Sequence, residues 1–116
     1  MTSDLALDYI AKRMSEMGHG KNYLIRFRHL IFRAQEKREL TAYNQMYVLI
    51  EPTVNVRIES DVGLYDQNED HANELQYEHR GAIKITNFST LLNNVRFIQA
   101  IPITKEDNNG SNNGKI

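Results

Sequence analysis

Between residues 22 and 103, apolar side chains recur mostly at every second position, in runs broken by polar turns. The clearest run is Val54, Val56 and Ile58, interleaved with Asn55, Arg57 and Glu59. Successive side chains of a β-strand point to opposite faces, so this alternation buries one face and wets the other. Several such runs at close spacing predict an antiparallel β-sandwich, either jelly-roll or immunoglobulin-like in its strand pairing.

The runs can be placed along the chain. Residues 22–32 put Tyr23, Ile25, Phe27, His29 and Ile31 on one face and Arg26, Arg28 and Leu30 on the other. Residues 37–42 are charged and read as an edge strand, since charge discourages edge-to-edge aggregation. Residues 45–50 are apolar on both faces, as a central strand would be. Glu51-Pro52-Thr53 is a turn, because Pro presets one turn dihedral and lacks an N–H for the ladder. A strand over 54–60, a short one over 61–65, one from Ile83 to Asn87 and one over 95–101 complete the set. Gly81 marks a turn or bulge. The polar stretch 66–80 between these runs reads as a long loop, the usual place for a binding element.

Ahead of the strands, residues 4–17 form an amphipathic helix with Leu7, Ile10, Ala11, Met14 and Met17 on one stripe. Ser3 or Asp4 is positioned to cap it, and Gly18 and Gly20 to end it. The methionines suit an adaptable contact surface, either on the helix's own domain or on a partner across the Gly18-His19-Gly20 joint. The segment from Thr104 onward, rich in Asn and Gly, has nothing to bury and is expected to be a flexible tail. The organisation is therefore a helical arm and hinge over 1–21, a β-domain over 22–103 and a tail over 104–116.

Composition narrows the function. A chain of 116 residues makes one small domain. Fourteen Lys and Arg nearly balance fifteen Asp and Glu, which gives no general drive toward nucleic acid or anionic membrane. The charges are uneven, with eight basic and five acidic residues in 1–40 against four and eight in 41–104. Such a split suits self-association or a charged partner. The absence of cysteine removes disulfides, thiol catalysis and cysteine-type zinc sites. No stretch is long and apolar enough to span a bilayer, and the first residues lack the pattern of a signal peptide, so cytoplasmic synthesis is expected.

No constellation of residues points to catalysis. His71 and His79 with Glu69, Asp70, Glu74 and Glu78 supply metal-ligand types, but their spacing matches neither an EF-hand nor His-Glu-x-x-His. No metal and no cofactor is expected. Ser60 and Ser89 lack a nucleophile-elbow context, and there is no glycine-rich phosphate loop. Arg26 and Arg28 beside Tyr23 and Phe27 fit an exposed protein-binding strand better than a nucleic-acid surface. Tyr43, Tyr47 and Tyr65 suit a carbohydrate-binding module, a reading weakened by the absence of tryptophan. Leu7, Ile10, Met14, Met17, Arg26 and Arg28 are the expected interface residues.

Two stretches carry a family likeness. Arg26-Phe27-Arg28-His29-Leu30-Ile31 continues through residues 42–49 and 56–65. Residues 76–79 then precede Gly81-Ala82-Ile83-Lys84-Ile85-Thr86-Asn87-Phe88-Ser89 and residues 94–102. Over roughly 22–103 the chain resembles the small β-sandwich virion proteins of tailed bacteriophages, and most of all the auxiliary (decoration) capsid proteins of crAss-like phages. The resemblance implies a non-enzymatic protein on the capsid exterior, assembled in the host cytoplasm, whose partners are the major capsid protein or neighbouring virion proteins. A head-fibre or tail-ring component and a non-catalytic adhesin-like module are the alternatives.

Overall fold

The computed structural model describes residues 1–50, 53–66 and 77–103. The expected turn at 51–52, most of the polar stretch 66–80 and the tail 104–116 lie outside these residues. The described residues are mostly antiparallel β-sheet with one N-terminal helix. Helix α1 (Ser3–Glu16) precedes β1 (Tyr23–Phe32), β2 (Lys37–Ile50), β3 (Val56–Glu59), β4 (Leu64–Asp66), β5 (Glu78–Asn87) and β6 (Asn93–Pro102). Thr2 caps α1, its hydroxyl accepting the Leu5 N–H at 3.3 Å, one residue before the expected Ser3 or Asp4. At the other end Gly18 takes φ 87°, with Gly18 N–H bonded to Ser15 O and His19 N–H to Met14 O. This is the left-handed exit for which glycine has no steric penalty.

The six strands form one hydrogen-bonded sheet in the order β1-β6-β2-β5-β3-β4. Strand β2 organises it. Its first half pairs with β5, from Lys37↔Thr86 to Ala42↔Gly81, and its second half pairs with β6, from Met46↔Ala100 to Ile50↔Arg96. Between Ala42 and Tyr47 the register against β5 shifts, so that residues 43–46 stand opposite Arg80 alone. Asn44 at φ 63° carries this bulge; Asn tolerates the left-handed region better than most residues. The expected edge strand 37–42 and central strand 45–50 are thus two halves of one bent strand.

The bend produces two cores. On one face Leu30, Phe32, Ala42, Tyr47, Leu49, Val56, Ile58, Tyr65, Ile83, Ile85, Val95 and Phe97 pack together. Strands β1 and β4 are five spacings apart in the sheet, about 24 Å if it were flat. Phe32 on β1 and Tyr65 on β4 belong to one continuous cluster and are almost wholly buried on the face that α1 does not cover, which agrees with the sheet folding over that face. Arg38 of β2 closes the fold: its guanidinium lies 4.3 Å from the Phe32 ring and donates to Ile31 O at 2.8 Å. The expected two layers are therefore supplied by one continuous sheet. On the opposite face α1 covers Met46, Val48, Ile50, Ile98 and Ala100 with Ala6, Tyr9, Ile10 and Met14. Among the described residues no helix is long and apolar enough to cross a membrane.

Gly81 locks the centre of the bend. It adopts φ 81°, and a Cβ there would meet Asp61 Oδ2 at 2.0 Å. The same oxygen accepts the Ala82 N–H at 3.2 Å, and Asp61 N–H reaches Arg80 O. Turn 61–63 is thereby fastened to β5 where only glycine fits.

Candidate interaction surface

The apolar stripe of α1 is engaged within its own domain. Ile10 and Met14 are wholly buried against the sheet, and Leu7 and Met17 are half-buried at its margin. The expectation that these four residues meet a partner is corrected here: undocking the helix would expose the β2 and β6 side chains beneath it. Burying each such residue contributes about 1.5–3 kcal/mol, and the sheet beneath the helix offers that gain without a second molecule.

A buried carboxylate fixes the helix. Glu78 on β5 accepts from Arg13 Nε at 2.9 Å, from Arg80 Nε at 2.9 Å and from the Tyr9 hydroxyl. Burial pushes the Glu78 carboxyl up, but the hydrogen bonds from Arg13 and Tyr9 and the charges of Arg13 and Arg80 outweigh it and hold it below the usual carboxylate range. The bond to Glu78 in turn raises Arg13 above its ordinary value. The polar pattern of 66–80 predicts a loop at Glu78 and His79; both are instead buried strand residues. As neighbours on a strand they point to opposite faces, so they cannot ligate one ion together. Glu69, Asp70, His71 and Glu74 lie outside the described residues, and among those described no group of three acidic or histidine side chains could hold a metal.

Ser60 and His79 meet at 2.9 Å through Oγ and Nδ1, a pair with no counterpart in the sequence reading. Its geometry serves the turn. The Ser60 hydroxyl accepts the Gly63 N–H at 3.1 Å, and the His79 ring is wholly buried. A cleft of about 830 Å³ opens between the end of α1 and the β2 bulge, lined by Met14, Met17, Tyr43, Asn44, Asp61 and Arg80 among others. Its charged groups already hold other partners: Arg80 is bound to Glu78, and Asp61 to the Ala82 N–H.

Arg26 and Arg28, the remaining expected interface residues, differ in environment. Arg28 is half-buried and donates to Tyr47 Oη at 2.9 Å and Gln99 Oε1 at 3.1 Å, bracing the sheet. Arg26 is exposed. The face of β1 that carries Tyr23 and Ile25 slides under the helix and then emerges, leaving Phe27, His29 and Ile31 in solvent.

Among the described residues, the connection between β5 and β6 is an exposed apolar feature. Phe88, Leu91 and Leu92 are 51%, 73% and 71% exposed, with exposed Val54 nearby through Asn93 Nδ2, which donates to Val54 O. This tip is held from below. Asn87, almost wholly buried, donates to Arg33 O at 2.7 Å and accepts from the Ser89 N–H and from Asn93 Nδ2. The Ser89 hydroxyl accepts the Leu91 N–H at 3.0 Å. The Asn, Ser and Asn spacing within 87–93 was visible in sequence, but ordinary loop chemistry would explain it equally well. A search for related proteins finds no matching family model, no matching curated protein and no matching solved structure.

Proposed function

We propose that the protein is a non-catalytic structural subunit of a phage virion, an auxiliary capsid protein that docks on the outer shell of the head. The virion assignment rests on the resemblance of residues 22–103, and the docking mode on the tip. One observation carries the docking reading: Phe88, Leu91 and Leu92 are large, exposed and held by a hydrogen-bonded scaffold. A pre-ordered apolar tip loses little conformational entropy on binding. Seating three such side chains in a partner contributes a few kcal/mol, about 1.5–3 for each if burial were complete. Rim charges contribute about 0–1 kcal/mol each. A modest affinity per copy suffices for a protein that reinforces a closed shell in many copies.

The test adds purified protein to capsids that lack it and counts bound copies after sedimentation. The wild type is expected to saturate the shell, and Leu91→Ser with Leu92→Ser to lose most of the binding while keeping its melting temperature. Absence of the wild-type protein from sedimented capsids overturns the virion reading. Full binding by the double variant overturns the tip.

A further inference from the structure

Among the described residues, a second uncovered surface is the outer edge of β1. The Ile103 N–H donates to Asn22 O at 2.8 Å, and the register then runs without a break from Tyr23↔Pro102 to Phe32↔Asn93. Backbone groups in an antiparallel pair alternate between facing the partner and facing away. Leu24, Arg26, Arg28 and Leu30 therefore turn their N–H and C=O toward β6, while Ile25, Phe27 and His29 turn theirs outward. The approach of Arg38 Nη2 to Ile31 O from the outer side agrees with this phase. The strand is ten residues long, unbulged and free of proline. The Tyr23 N–H is taken by Lys21 O and Ile31 O by Arg38, so that among the described residues the outward groups of Ile25, Phe27 and His29 are the open ones. Leu24, Phe27 and Ile31 are more than half exposed. Edges of that kind are templates for a further strand.

Charge says which strand. Residues 21–35 and 93–103 hold Lys21, Arg26, Arg28, Arg33 and Arg96 and no Asp or Glu. None of these five cations is ion-paired among the described residues. A second copy of β1 is disfavoured. The antiparallel registers that pair most of the strand set Arg26 against Arg28, or Arg28 against itself, and directly opposed like charges repel. A nucleic acid would satisfy the cations, but its phosphates cannot match a row of alternating N–H and C=O groups.

We propose that the free edge of β1 is a docking site for an acidic, extended segment of another protein, which adds to the sheet as a seventh strand. The bonds come from main chain to main chain, the selection from carboxylates beside Arg26, Arg33 and Arg96, and the apolar contacts from Leu24, Phe27 and Ile31. The cations that deter self-pairing admit this partner. The proposal deepens the reading of the protein as a docking subunit.

The probe is a labelled peptide of alternating Glu and Val, ten residues long to match β1. Fluorescence anisotropy measures its affinity, and amide hydrogen exchange its location. The expected result is saturable one-to-one binding, with the amides of Ile25, Phe27 and His29 gaining protection. A Lys-Val peptide is expected to bind at least about tenfold more weakly. Arg26→Glu, and independently Phe27→Pro, whose lost N–H faces away from β6, are each expected to weaken binding by about tenfold or more with the circular-dichroism spectrum unchanged. No binding at about 1 mM peptide overturns the proposal. So does binding that leaves those three amides unprotected, equal binding of the Lys-Val peptide, or protection of the same amides by oligothymidine or by raised protein concentration alone. Capsids are absent from this assay, so a failure to bind capsids and a failure of the edge remain separate results.

Discussion

Glu78→Gln is the sharpest test of how the helix is held. The carboxylate is 2% exposed and receives Arg13, Arg80 and the Tyr9 hydroxyl, while the two guanidinium side chains are 25% and 36% exposed. Hydrogen bonds to a charged group contribute about 1.5–3 kcal/mol each. Removing one member of a buried pair costs about 3–5 kcal/mol when the other charge stays dry. Arg13 and Arg80 regain water when released, so a loss of about 2–4 kcal/mol is expected at pH 7. Urea unfolding followed by circular dichroism measures it. The pH dependence supplies the sign. The folded Glu78 carboxyl lies below its ordinary 4.5, so its stabilisation is complete above that value and is lost as pH falls through the lower folded value. The gap between wild type and variant must therefore narrow on acidification. A difference under about 0.5 kcal/mol at pH 7, the size of an ordinary surface substitution, would refute the reasoning. Parallel acid limbs for the two proteins would refute it equally.

Three further outcomes follow from the geometry. Gly81→Ala forces a left-handed alanine and displaces Asp61 from the Ala82 N–H, a loss of about 2–3 kcal/mol readable by urea titration. Asn87→Ala removes the support under the tip, so the Ser89 and Leu91 amides should exchange faster and capsid binding fall, although Asn87 itself is buried. EDTA should leave the melting temperature unchanged; a drop of several degrees would reveal a bound metal ion.

Much of the fold was legible in the residue pattern. The two-residue period marks the strands, although β5 begins five residues before the expected Ile83 and β2 joins two expected strands into one, and the apolar stripe of Leu7, Ile10, Met14 and Met17 marks the helix. The double-sided apolar run from Met46 to Ile50 marks a segment with a core on each face, as β6 also has through Val95 and Phe97 on one side and Ile98 and Ala100 on the other. Less of the candidate surface was legible. Arg26 was rightly read as exposed, but Arg28 braces Tyr47 and Gln99, and the helix stripe faces its own sheet. Phe88, Leu91 and Leu92 carry no such signal, because three apolar residues in a short connection do not announce whether they point in or out.

By itself the sequence determined what each segment prefers: extended or helical backbone, apolar on one side or both, and glycine or asparagine at most positions where φ turns positive, Gln35 being the exception. Those are local properties, set by sterics and by the side-chain period. Tertiary structure alone decided which strands are neighbours, that β2 shifts its register against β5 at the Asn44 bulge and takes up β6 beyond it, and that the sheet folds over its own face. It alone turned Glu78 from a polar loop residue into the buried anchor of α1, with partners 65 and 69 residues away in the chain. It also left the outer edge of β1 and the tip at Leu91 and Leu92 uncovered. Burial and charge pairing depend on distances between segments far apart in sequence, and a local alternation carries no information about those distances.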